Sequence, residues 1–215
     1  MAKGPNTKAK GWIVMLAFGW LWGCWFVGGH GLALGGVRVT EIAPTPTSRK
    51  PALPLVIYGT GARGIPFSPS GWMGNISAIH LNDQCAENPH SGAACIKLEY
   101  TAATGWAGIV WLDPPNDWGD RDGGYDLTGA TKLTFWACGG AGGEKVEFYF
   151  GTIKSDKPFP DSDTGRIAVT LTREWKQYSI DLSGKNLARI KTGFGWSLAG
   201  QGKPVAFYLD DIQYE

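Results

Sequence analysis

The stretch GWAGIVWLDPPNDWG, residues 105–119, holds Trp106, Trp111 and Trp118 among two aspartates, an asparagine and a Pro-Pro pair. Tryptophan is the bulkiest side chain and seldom disappears completely into a core. A flat aromatic face stacks on the apolar C–H face of a sugar ring. Carboxylates, amides and guanidinium groups then hold the ring's hydroxyl edge. Read as a strand, residues 106–112 place Trp106, Val110 and Leu112 on one face and Ile109 and Trp111 on the other. We assign Trp106 to the interior and Trp111 to the outside. Trp118 falls in an exposed loop stiffened by Pro114 and Pro115, with Asp113 and Asn116 beside it to read hydroxyls. Trp72, in the turn-like PSGWMGN, extends the candidate set. So do Trp136, Tyr149, Glu147 and Gln177, each on the strand face opposite an apolar one. For any single tryptophan, core or edge packing is the alternative.

Catalytic patterns are missing. There is no Gly-x-Ser-x-Gly elbow. Glycoside hydrolysis needs two carboxyls about 5–10 Å apart, and the nearest sequence candidates are Glu144 and Glu147 in GEKVEFYFG. His80 and His90 form no zinc-binding pattern, and no Cys-x-x-Cys occurs. The glycine-rich GTGARG (59–64) lacks the Lys-Ser/Thr of a phosphate loop. The domain is therefore expected to be non-catalytic and to require no cofactor.

The elements that must position these side chains begin after a targeting segment. Residues 1–10 are basic, and 11–29 run apolar without a charge. That order reads as a secretory signal within residues 1–36. A membrane anchor through 11–29, or a lipoprotein-like box ending at Cys24, are the alternatives. Each places the rest of the chain outside the cytoplasm, secreted or in the cell envelope. Residues 37–54 include TEIAPTPTSRKPALP, a Pro/Thr-rich linker. With 20 basic and 19 acidic side chains the chain carries +1, which gives nucleic acid nothing to be drawn to. Cys85 and Cys95 flank a polar loop of Pro, Gly, Asn and Ser, and in an oxidising compartment we expect them to be bridged. Two buried thiols are the alternative. Cys138 is left over as a small buried hydrophobe.

From residue 55 onward the pattern is that of strands. LVIY, CIKLEY, WAGIVWL, TKLTFWAC, KVEFYFGTI, WKQYSIDL, TGFGWSLAG and VAFYLDDIQYE give about eight, separated by glycine-rich turns. Even spacing and turn-rich connections imply an all-β, two-sheet jelly-roll sandwich over 55–215.

The motif order Asp126-Leu127-Thr128-Gly129, Phe135-Trp136, Trp175-Lys176-x-Tyr178 and Asp210-Asp211-Ile212 resembles the galactose-binding-like β-sandwiches. More narrowly, it is similar to the carbohydrate-binding modules of secreted glycoside hydrolases. The resemblance covers most of residues 105–215 and implies a polysaccharide or glycan as partner. Cys138 stands where family members often carry an arginine. Modules of this fold often hold a structural calcium through an acid on the last strand. Asp210 and Asp211 are the candidates here, although the first strand offers no acid to complete the set. The same sandwich also serves as a structural or adhesion module of the cell envelope, and fold alone does not separate the two. A small secreted glycoside hydrolase is a third reading.

Overall fold

The computed structural model describes residues 49–215. The expected signal or anchor, Cys24 and residues 37–48 of the linker lie outside the described residues. Eleven strands make up the fold. They are β1 (Leu55–Tyr58), β2 (Ser68–Gly74), β3 (Ile79–Cys85), β4 (Cys95–Tyr100), β5 (Trp106–Leu112), β6 (Lys132–Gly139), β7 (Lys145–Phe150), β8 (Gly165–Thr170), β9 (Lys176–Asp181), β10 (Thr192–Ala199) and β11 (Val205–Tyr214). One 3-10 turn, Ile76–Ala78, is the only helical element among the described residues. No described helix is long and apolar enough to cross a membrane.

The strands form two antiparallel sheets, so the all-β, two-sheet expectation holds. One runs β3-β4-β11-β6-β9, with β1 paired to the far end of β11; the other runs β2-β5-β10-β7-β8. The strand count rises from about eight to eleven. The additions are β2, β3 and β8. Ser68–Gly74 reads as a turn because it holds Pro69, Gly71 and Gly74, yet it lies at a sheet edge, where proline is tolerated.

Alternation sets the core. Leu133, Phe135 and Ala137 of β6 and Phe207 and Leu209 of β11 face Phe148, Phe150, Phe194 and Trp196 of the other sheet. Phe135 packs on Phe148 at 4.6 Å and on Phe194 at 5.3 Å between ring centres. Burying one large apolar side chain contributes roughly 1.5–3 kcal/mol, so this aromatic layer is the main cohesion between the sheets.

Cys85 and Cys95 are directly opposite in the β3–β4 register. They and Cys138 are free, buried thiols, which corrects the expected bridge. Cys95 Sγ donates to the carbonyls of Cys85 at 3.5 Å and Glu87 at 3.6 Å. Burial pushes the Cys95 thiol up to about 12. A neutral thiol of this kind is a donor rather than a nucleophile.

The loop after β5 is tied down by a buried ion pair. The Lys191 side chain is wholly buried, and its ammonium donates to Asp117 Oδ2 and to the Arg121 carbonyl. Asp117 also accepts the N–H groups of Gly119 at 3.3 Å and Arg121 at 3.1 Å. Burial by itself would raise the Asp117 carboxyl, but Lys191 and these N–H donors hold it below the usual carboxylate range.

Removing one partner of a buried pair strands the other, at about 3–5 kcal/mol. Lys191→Met is therefore expected to lower the unfolding free energy by that amount, read as a lower urea midpoint. Asp117→Asn made together with it should recover part of the loss. The depressed carboxyl stabilises the fold fully above its unfolded value near about 4. That contribution disappears as pH falls through the lower folded value. Stability measured against pH should thus fall less steeply on the acid side in Asp117→Asn than in the parent.

Candidate functional site

Every strand of the five-stranded sheet shows one face to the core and one outward. The registers align the outward residues into rows that cross the strands. One row is Ala168, Glu147, Ser197, Gly108 and Met73. On one side of it lie Thr170, Lys145, Ala199 and Trp106. On the other lie Arg166, Tyr149, Gly195, Val110 and Gly71. The middle row is made mostly of small residues, so the surface is depressed along it. The depression measures about 440 Å³ and is lined by Trp106, Lys145, Glu147, Ala168, Thr170, Ser197 and their strand neighbours. It crosses β8, β7, β10 and β5, roughly 14 Å at the usual strand spacing. The Met73 side chain lies over Gly108, 3.3 Å from where a Cβ would stand, and closes the β2 end.

Trp106 is the aromatic wall, with 51% of its surface exposed. Trp111 is 3% exposed and packs edge-on against Phe194 at 5.5 Å. The inside-outside assignment of these two is thus reversed from the sequence expectation, and Trp111 has no face to offer a ligand on the open surface. Both faces of β5 are apolar. Its outward Val110 and Leu112 are covered by Tyr149, Ile153, Met73 and Trp118, so hydrophobicity does not tell the faces apart.

Opposite Trp106 stands a charged edge. Glu147 Oε2 and Arg166 Nη1 lie 3.6 Å apart, both partly exposed. An acceptor and a planar donor side by side suit the vicinal hydroxyls of a sugar. Tyr149 is 5% exposed, and its hydroxyl donates to the Trp196 carbonyl at 3.0 Å. Burial pushes that phenol up to about 12. Tyr149 is therefore floor rather than a hydroxyl reader. Its ring occupies the space a side chain on Gly195 would need.

The remaining sequence-predicted residues do not join this surface as one platform. Trp118 is half-buried, packed on Val110 and Leu112, with its ring 2.9 Å from the Cβ position of Gly71. It extends the wall beyond Tyr149 and is not the freely exposed loop residue expected. Asp113 is buried, taken by the Arg49 guanidinium and by the Gly124 N–H at 2.7 Å. Asn116 is exposed on the loop, its backbone N–H given to Ser70. Trp72 is 38% exposed on the edge strand, its indole N–H donating to the Pro69 carbonyl. Trp136 and Gln177 are cross-strand neighbours in the other sheet. The Trp136 ring is stacked by His90 at 3.8 Å.

Asp210 and Asp211, the calcium candidates, are engaged in hydrogen bonds within the protein. Asp210 Oδ2 accepts the N–H groups of His90 and Ser91 at 3.0 Å, and Asp210 Oδ1 accepts that of Asp211. Asp211 holds the His90 ring and the Ser91 hydroxyl, each at 2.8 Å. These carboxylates pin the 86–92 loop to the last strand. Among the described residues no group of three or more His, Cys, Asp or Glu gathers as a metal site. Glu144 is turned away from Glu147. It accepts the Ala141 N–H at 2.7 Å and packs onto Gly139 of the other sheet.

Trp106, Arg166, Ser197 and Thr170 were missed from the sequence. The signal for Arg166 and Thr170 was present in GRIAVT. There Arg166, Ala168 and Thr170 are exposed while Ile167 and Val169 pack inward.

Among solved structures, the fold is similar to a Family 30 carbohydrate-binding module, with a TM-score of 0.54 and 16% identity over 76% of this chain and 99% of that one. A second Family 30 structure gives 0.53 and 15% over 77% and 88%. A Family 11 module of a cellulosomal cellulase from Clostridium thermocellum gives 0.49 and 14% over 77% and 95%. No protein-family model and no curated protein matches the chain. The two-sheet sandwich fold is therefore similar to that of these Family 30 modules.

The reversed tryptophans give a direct test. Trp111→Ala is expected to cost about 3–5 kcal/mol, as for a large-to-small change in a core. Trp106→Ala should change stability far less. Thermal melts of the two variants decide between this and the opposite assignment.

Proposed function

We propose that the chain is an exported, non-catalytic carbohydrate-binding protein that lays a short segment of polysaccharide in the depression on its five-stranded sheet. One observation carries this: exposed Trp106 and Glu147, itself paired with Arg166, line one depression whose floor is made of small residues. Trp106 supplies the stacking face. Glu147, Arg166, Ser197 and Thr170 supply hydrogen bonds to ring hydroxyls. The likeness to carbohydrate-binding modules supports the same reading at the level of fold. The basic start and apolar run of residues 1–29 support placement outside the cytoplasm.

The way the acids are used supports a non-catalytic role. Of the acidic residues, only Glu147 lines the depression. Glu144 is committed to a turn, and Asp113, Asp117 and Asp210 are buried in structural hydrogen bonds. Hydrolysis would need a second carboxyl across the glycosidic bond.

Isothermal titration with cellohexaose, xylohexaose and mannohexaose tests the proposal. At least one should bind, and Trp106→Ala should weaken it about tenfold or more, as loss of a central aromatic anchor does. Arg166→Met should weaken it as well, with little change in melting temperature. Incubation with β-glucan, xylan and mannan should release no reducing ends. If no glycan binds the folded protein, the structural or adhesion role takes precedence. Turnover abolished by Glu147→Gln would establish a hydrolase instead.

A further inference from the structure

A second cavity, of about 360 Å³, opens at the other edge of the sandwich, between β1, β3 and β4 of one sheet and β2 and β5 of the other. Its inner walls are Ile57, Phe67, Leu81, Ile96 and the Trp111 ring. Its mouth carries Thr60, Asp83, Gln84 and Ser91. Two loops meet there, joined by a hydrogen bond of 3.1 Å between the Thr60 and Ser91 hydroxyls. The Ser91 loop is anchored from behind by Asp210 and Asp211. The other loop, 59–65, is a thin cover. Gly61 and Gly64 adopt φ values of 96° and 84°, and nothing lies within 4 Å of where their Cβ atoms would be. Ile65 lines the cavity and is nevertheless 79% exposed.

We propose that this cavity binds a single phenol-type ring, with the ring among the apolar walls and its hydroxyl at the mouth. A dry apolar cavity of about 150 Å³ already accommodates benzene, so a substituted ring fits here. The mouth favours a donor. The Asp83 carbonyl is taken by Tyr58 at 2.7 Å and Gln84 at 2.9 Å, while its carboxylate stays at the rim as an acceptor. An anionic ligand would be repelled by that carboxylate. A sugar is less well served, because the polar side chains of the lining gather at the mouth while the inner walls Ile57, Phe67, Leu81 and Ile96 give its remaining hydroxyls no partner. This site is on a different part of the sandwich from the depression beside Trp106 and does not depend on it.

Calorimetric titration of the full chain with p-cresol, toluene and cellobiose tests the assignment. We expect one saturable p-cresol site with a dissociation constant of about 1 mM or tighter. Toluene should bind about fivefold to tenfold more weakly, for the loss of one hydrogen bond. Leu81→Trp fills the cavity from one wall and should weaken p-cresol about tenfold or more. If that variant does not fold, Ala94→Phe fills the cavity from the loop side and is read in its place. Trp106→Ala should bind p-cresol like the parent. The proposal is overturned by no saturable heat with p-cresol, by undiminished binding in the filled variant, by toluene binding equally well, or by cellobiose competing for the site.

Discussion

The outer face of the five-stranded sheet is a depression because small side chains occupy the places where bulk would fill it. Gly71, Gly108 and Gly195 stand in adjacent rows of that face. A Cβ at Gly71 would meet Trp118 at 2.9 Å, and one at Gly195 would run into the Tyr149 ring. A Cβ at Gly108 would stand 2.5 Å from the Trp196 carbonyl. With those positions bare, Tyr149 lies flat as floor and Trp118 extends a wall. Trp106 is left as the aromatic face open to solvent. The shape of the site is therefore set by backbone approach, and its chemistry by the few side chains that rise above it.

Holding that shape falls to interactions away from it. Lys191 and Asp117 fix the loop that delivers Trp118. Asp161 reinforces it by accepting the Ile153 N–H at 2.8 Å and the Thr192 N–H at 3.0 Å, joining the segment after β7 to the start of β10. On the opposite sheet, Asp210 and Asp211 do the same for the 86–92 loop. Asp117, Asp161 and Asp210 are used as fixed acceptors for backbone N–H groups, and Asp211 for the His90 ring and the Ser91 hydroxyl. A buried carboxylate is tolerated where several donors converge on it, and these loops provide them.

The strands were legible in the sequence wherever one face was apolar and the other polar. β4, β6, β7, β9 and β11 have that pattern, and their limits fall within a few residues of expectation. β5 shows where alternation stops being informative. Trp106 and Trp111 are five apart, so a strand must put them on opposite faces. Which face is inside depends on the sheet that packs against it. Ile109 and Val110 are equally buried, so nothing local decides. The site was legible in kind, as aromatics beside carboxylates and amides. It was not legible in place, because the rows join residues from β5, β7, β8 and β10 through registers that sequence spacing does not encode. His90 over Trp136 is another case of this. The stacking partner lies 46 positions away and arrives on a loop held by the last strand.

The central claim is that ligand lies on the outer face of the five-stranded sheet. The measurement closest to it is an amide NMR titration of the full chain with cellohexaose, read residue by residue. The account predicts that the largest shifts fall on Trp106, Glu147, Ala168 and Ser197, with the face bearing Trp136, Gln177 and Tyr208 unmoved. Shifts concentrated on that second face, with the first unaffected, would contradict it.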